Sequence, residues 1–184
     1  IMYKIHNVLN QPQLNYVNSC IRNFNYKLHS SNSSENSAIF LNSELLQYDK
    51  VKANFFREIF LKILKKTDYV LNKNIYCIRC YINFYPYLGG GNFHVDDEGG
   101  NLTIVFFPCE WDKNDGGETI FLETEDENTF EDKKLENIIE YETNSALFFN
   151  SLHPHKANSH KNKKGRFSIA YKCVTFDHTI LLNK

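Results

Sequence analysis

The sequence predicts a mainly β fold, an antiparallel barrel or sandwich with helices along one side. Two helical stretches occupy the first 70 residues, and from Ile75 onward the chain breaks into short runs of β-forming residues separated by turns. Those runs do not alternate with helices, so a parallel βαβ sheet is excluded. The 184 residues, 42% apolar and 15% aromatic, suit one domain with a core of its own; there is no internal repeat.

Each element has its local reason. Tyr3 to Val8 is a short strand with partial alternation. Asn10 opens a helix with Pro12 in its first turn, and Leu14, Val17, Ile21 and Phe24 recur on one face. Ser30 to Ser37 is polar and reads as a mobile loop. Asp49 caps a longer helix reaching about Tyr69, with Phe55, Phe56, Ile59, Phe60, Ile63 and Leu64 as a broad apolar face. Both helices are expected to cover the outside of a sheet. Ile75 to Tyr85 alternates, with Tyr81, Asn83 and Tyr85 on one side and Ile82 and Phe84 on the other. Leu102 to Phe107, Glu118 to Leu122, Ile138 to Tyr141, Ala146 to Phe149 and Phe167 to Phe176 complete the strands. Asp115-Gly116-Gly117 is a turn, and Glu123 to Lys134 is a charged, solvated loop.

Composition narrows the function. A formal net charge of −1 gives no argument for a nucleic-acid or membrane partner. The five cysteines are scattered. Cys77 and Cys80 have CxxC spacing, but no second pair completes a zinc site, and in a strand they face opposite sides. Free thiols suit a reducing compartment. No stretch reaches 18 apolar residues and no signal-peptide pattern opens the chain, so a soluble, cytoplasmic protein is expected.

The chemistry gathers around Phe93-His94-Val95-Asp96-Asp97. In extended chain His94 and Asp96 point to the same side, so an imidazole nitrogen and a carboxylate oxygen converge on one point. The glycine run at Gly89, Gly90 and Gly91 reads as a flexible approach. His153-Pro154-His155 follows about sixty residues later, and Arg166 comes eleven residues after His155. Two histidines and one carboxylate with open positions form the facial triad of non-haem Fe(II) oxygenases. The third ligand falls to His155 or His153, which share a side in extended chain; the distance to Arg166 favours His155, and the other would support it from behind. Arg166, with Ser168 on its strand face, can clamp a carboxylate through two parallel hydrogen bonds. A metal and an anion clamp across a barrel mouth suit 2-oxoglutarate, whose keto-acid end chelates the metal. Two competitors use the same residues. A zinc-dependent hydrolase leaves Arg166 unexplained, and a non-catalytic cupin-like binding protein leaves the whole set unexplained. His6, His29 and His178 read as surface or packing residues. His160, in the basic loop 156–164, reads as solvated, and Trp111 with its glycine pair as turn and packing.

From Tyr81 to Phe176 the chain resembles the iron(II)- and 2-oxoglutarate-dependent oxygenases, in their prolyl 4-hydroxylase-like branch. The text that carries the resemblance starts with Tyr85-Pro86, the glycine run and His94-Val95-Asp96. Asn101-Leu102-Thr103, Trp111, Gly116-Gly117-Glu118-Thr119 and Ala146 to Asn150 follow. Pro154-His155 and Gly165-Arg166-Phe167-Ser168-Ile169-Ala170 end it. The resemblance implies a double-stranded β-helix (jelly-roll, cupin-like), with one oxygenase domain over 1–184. Helical support would span about 10–70 and the β-helix core about 75–178. It implies iron on His94, Asp96 and His155, and 2-oxoglutarate against Arg166, Ser168 and Tyr85. O2 is the oxidant, and ascorbate accompanies the prolyl-hydroxylase branch. The implied reaction hydroxylates an unactivated C–H bond, prolyl or of another amino-acid side chain, and releases succinate and CO2. The partner is then a small molecule or a peptide. One departure stands out: members of this branch often place a Tyr on the strand before the Trp, where this chain has Phe106 and Phe107.

Overall fold

The computed structural model describes residues 2–30, 39–44, 50–67, 74–96, 99–123 and 133–176. The expected loops at 30–37 and 123–134 lie largely outside these residues, as do the cap at Asp49, the helix end near Tyr69 and Asp97.

Strand β1 (Tyr3–Ile5) leads into helix α1 (Gln11–Arg22). Asn10 caps α1 by accepting from the Gln13 backbone N–H while the Gln13 side chain accepts from the Asn10 N–H, a reciprocal capping box with Pro12 in the first turn. Leu14, Val17 and Ile21 form its buried stripe. Strands β2 (Lys27–Ser30) and β3 (Ile39–Glu44) come next, then helix α2 (Lys50–Lys65). Neither strand was expected, because their residues lack a run of β-branched or aromatic side chains. They form by pairing with each other and onto the edge of β4 (Asn74–Tyr85).

The remaining strands are β5 (Leu102–Phe107), β6 (Thr119–Leu122), β7 (Leu135–Ile139), β8 (Ser145–Asn150), β9 (His155–Ala157) and β10 (Arg166–Phe176). Seven strands make one antiparallel sheet in the order β1-β8-β5-β10-β4-β3-β2, and a smaller sheet runs β7-β6-β9. β7 starts three residues before the expected Ile138, because its register is set by pairing with β6 rather than by its own exposed residues. Phe121 on β6 meets Phe149 on β8 edge to face, closing the two sheets on each other.

β10 shows how one strand serves two surfaces. Its outward residue Tyr171 packs its ring 5.2 Å from Phe60 of α2, and its hydroxyl donates to the Phe56 carbonyl. The helices therefore cover the outer face of the large sheet, as expected. The alternate residues Arg166, Ser168, Ala170 and Lys172 face inward.

Candidate functional site

His94 is joined to β9 by a single bridge rather than lying in a full strand. His94 and His155 exchange both backbone hydrogen bonds, at 3.0 and 2.9 Å, which sets their rings side by side with centroids 4.4 Å apart. The Asp96 N–H donates to the Ser151 carbonyl at 2.7 Å, tying the next turn of chain to the end of β8. The glycine run is packed, not loose. The Gly91 N–H donates to the Ala157 carbonyl, and a Cβ on Gly90 would lie 2.8 Å from the Ser159 nitrogen. Close backbone approach requires these glycines.

His94, Asp96 and His155 bring one ligand atom each to within 4.8 Å of one another. Nε2 of His94 lies 3.5 Å from one Asp96 oxygen, and Nε2 of His155 lies 3.6 Å from the other. Each imidazole has its Nδ1 against a backbone carbonyl, Asn92 at 2.9 Å and His153 at 2.8 Å. A carbonyl only accepts, so each Nδ1 donates, and in the neutral ring each Nε2 then carries the lone pair on the Asp96 side. His153 is turned elsewhere. Its Nε2 lies 3.0 Å from the Leu122 carbonyl and 2.5 Å from the Glu136 carboxylate. Two inward lone pairs and a carboxylate suit a divalent transition metal, and the donor set fits iron(II) or zinc equally.

Asp96 is buried and accepts from several donors. Its Oδ2 accepts from the Thr103 hydroxyl at 2.8 Å and contacts the Lys172 ammonium; Thr103 in turn meets Ser151 at 3.2 Å. Burial opposes the charge, but His94, Lys172 and His155 outweigh it and hold the carboxyl well below the usual carboxylate range. The carboxylate outweighs burial at His94 and lifts that imidazole above its ordinary value. At His155 burial prevails and pushes the ring down to about 3, keeping it neutral.

The cavity runs from this cluster to Arg166, between Tyr81, Asn83 and Tyr85 of β4 and Thr119 and Ala157 of the small sheet. Arg166 is 2% exposed. Its Nε donates to the Gly117 carbonyl at 2.9 Å and its outer nitrogen lies 3.4 Å from the Thr119 hydroxyl. The guanidinium lies within 5.3 to 5.8 Å of the Tyr141, Phe107 and Tyr85 ring centres. Burial lowers its pKa while nearby tyrosines and Glu118 oppose the shift. Phe107, one of the two Phe on the strand where the resemblance expects a Tyr, thus contributes a ring face. Trp111 anchors the turn beneath by donating to the Gly116 carbonyl at 2.8 Å and stacking on Tyr141.

Tyr85, Arg166 and Ser168 all line this cavity with His94, Asp96 and His155, so the expected residues are brought together. His160 differs from its solvated reading. It is 1% exposed, with Nε2 3.1 Å from the Tyr85 carbonyl and its ring against Trp111. The residues around it, Ser159, Lys161, Lys163 and Lys164, are exposed as expected, and His160 alone turns inward. Lys172 and Thr103 were not anticipated. Counting by twos from Arg166 along β10 reaches Lys172, so the periodicity was present, but nothing in it announced a contact with Asp96.

No family model and no curated protein matches the sequence. Solved structures do resemble the fold. A prolyl hydroxylase from Trichoplax adhaerens, in complex with a hypoxia inducible factor oxygen degradation domain peptide fragment, has a TM-score of 0.69 at 15% identity, over 100% of this chain and 87% of that one. A Pseudomonas putida prolyl-4-hydroxylase gives 0.58 at 14%, over 93% and 91%. The non-haem alpha-ketoglutarate-dependent epimerase SnoN from nogalamycin biosynthesis gives 0.68 at 13%, over 94% and 78%. The chain has the double-stranded β-helix fold of the 2-oxoglutarate/iron(II) oxygenases, prolyl 4-hydroxylases among them.

Proposed function

We propose that this protein is an iron(II)- and 2-oxoglutarate-dependent dioxygenase that hydroxylates an unactivated C–H bond, prolyl or of another amino-acid side chain, releasing succinate and CO2. The observation that carries the reading is a single cavity with the His94, Asp96 and His155 cluster at one end and a buried guanidinium at the other. A zinc hydrolase would use the first end and leave the second without a task.

His94, Asp96 and His155 would hold the iron, and Arg166 would hold the far carboxylate of 2-oxoglutarate, with Ser168 and Tyr85 beside it. The metal, when bound, supplies the redox chemistry that activates O2. The Asn92 and His153 carbonyls fix both imidazoles in the ligating tautomer. Thr103 and Lys172 occupy one oxygen of Asp96 and leave the other directed at the metal position. Aromatic walls around Arg166 shield the anion contact from water, where such a contact counts most. Asp96 itself favours hydroxylation, since related halogenases replace the carboxylate to admit halide. The peptide-bound prolyl hydroxylase and the epimerase share the fold, so the reaction must be tested directly.

Anaerobic titration with Fe(II) and 2-oxoglutarate should give a weak visible charge-transfer band. O2 should then release succinate, and peptides or amino acids that are substrates should gain one oxygen in mass spectra. Tight Zn(II) retention with no band and no succinate would sink the reading.

A further inference from the structure

The outer face of the large sheet, away from the cavity, gathers three cysteines. Cys77 of β4 and Cys173 of β10 are register partners, and Cys80 stands opposite Tyr171, two residues before Cys173. In a regular strand CxxC spacing puts its two cysteines on opposite faces. Here the register slips between Lys172 and Cys173 and skips Ile78, so Cys77 and Cys80 share one face after all. It is the face on which Tyr171 meets Phe60 of α2. Cys173 is fully buried there, and Cys77 is partly exposed.

The backbone suits a bond between the two partners. The Cys173 carbonyl accepts from the Asn101 N–H at 3.0 Å, so it points to the β5 side and away from β4. A strand residue sends its N–H and its carbonyl to the same neighbour, which makes Cys77 and Cys173 a non-hydrogen-bonded pair. Such pairs bring their Cα atoms to about 4.5 Å, inside the roughly 4.4–6.8 Å range of a disulfide. The two thiols already interact. Contact with Cys173 lowers the Cys77 thiol from its ordinary value, while the same contact and burial raise that of Cys173. The more exposed sulfur is thus also the more readily ionised. Among the described residues only His94, Asp96 and His155 gather three ligand atoms within 4.8 Å of one another, so these sulfurs make a pair rather than a metal cage.

We infer that Cys77 and Cys173 are a reversible thiol–disulfide couple, oxidised by hydrogen peroxide and reduced by a dithiol. The Cys77 sulfur attacks one peroxide oxygen, the O–O bond breaks, and a sulfenic acid and one water result. The Cys173 sulfur then attacks the Cys77 sulfur, the S–S bond forms, the S–O bond breaks and a second water leaves. Two electrons pass from the sulfurs to the peroxide, and both thiol protons end in water. A dithiol reverses the bond by exchange and becomes a disulfide itself. The bond joins positions 96 apart in the chain (173 − 77) and clamps the two strands that also carry Tyr85, Arg166 and Ser168. It lies behind the cavity and does not depend on what the cavity holds.

The test treats the reduced full chain with hydrogen peroxide, blocks the remaining thiols in denaturant and maps tryptic peptides without reduction. The thiol count should fall by two from five, and a peptide holding Cys77 should be joined to one holding Cys173. Cleavage after Arg79 separates Cys77 from Cys80, so the two possible links are told apart. Dithiothreitol should restore all five thiols. The oxidised protein should unfold at a higher denaturant concentration than the reduced one, because the link constrains the unfolded chain. Cys80→Ser should keep the link and Cys77→Ser should lose it; the wild-type map decides even where a variant does not fold. An unchanged thiol count, a link from Cys77 to Cys80 or to a second chain, or oxidation of Cys77 beyond the sulfenic acid with no bond would each overturn the inference. So would a lower denaturant midpoint on oxidation, which would show that the native register does not accommodate the bond.

Discussion

The two ends of the cavity neutralise charge by different physics. At the His94 end a buried carboxylate meets an ammonium, a hydroxyl and two imidazoles, so its charge is compensated within the protein. At the Arg166 end a buried guanidinium contacts a backbone carbonyl, a hydroxyl and three ring faces, all of them dipoles or quadrupoles, and the one carboxylate that acts on it among the described residues, Glu118, does so from outside the cavity lining. The first end is preorganised and leaves one carboxylate oxygen for a metal. The second retains capacity for an incoming anion.

The largest effect should come from breaking the first end. Asp96→Ala should abolish succinate release and Mn(II) retention, and should also destabilise the fold by about 3–5 kcal/mol because the buried Lys172 ammonium loses the carboxylate it contacts. His155→Ala should abolish turnover as well, whereas His153→Ala, aimed at Leu122 and Glu136, should retain it. Activity in the His155 variant with a dead His153 variant would reverse the assignment.

Breaking the second end should weaken one ligand selectively. Arg166→Ala should cost about 2–5 kcal/mol, a rise of roughly 30-fold to several thousand-fold in the KM for 2-oxoglutarate. Arg166→Lys should fall between Ala and wild type, since it restores charge without the fork. Succinate release across a 2-oxoglutarate series measures this. An unchanged KM in Arg166→Ala would erase the distinction between the two ends.

The support beneath Arg166 should matter less. Gly117 has φ +78°, and a Cβ there would lie 2.7 Å from the Trp111 ring and 3.4 Å from Arg166 Cδ. Gly117→Ala should lower stability by about 1–3 kcal/mol, seen as a shifted denaturant midpoint. It should raise the KM for 2-oxoglutarate while sparing Mn(II) binding.

The smallest effect should be a pH slope from the same support. Burial, with Arg166 adding to it, pushes His160 below its ordinary value. The folded state therefore resists a proton that the unfolded state accepts, so stability is fully present above about pH 6.5 and is lost as pH falls below it. His160→Gln should flatten part of the slope in denaturant midpoint between about pH 7 and 5. An unchanged slope would show that His160 does not titrate differently on folding.

The sequence by itself determined whatever depends on near neighbours. The capping box at Asn10, the helical stripes and the alternation of β4 and β10 follow from spacing alone. So does the shared side of His94 and Asp96. Tertiary structure decided what depends on pairing. β2 and β3 exist because a strand edge accepts them, and β7 takes its register from β6. The choice between His155 and His153 as the inward imidazole follows from the two-way bridge with His94, which faces one ring toward Asp96 and leaves the other against Leu122. His160 looked solvated because its neighbours are polar, and they are exposed, but its own ring turns in against Trp111 and the Tyr85 carbonyl. Lys172 is the clearest case. Its face could be counted along β10, but its meeting with Asp96 joins residues 76 apart in the chain, and only the closing of the sheet brings that ammonium to that carboxylate.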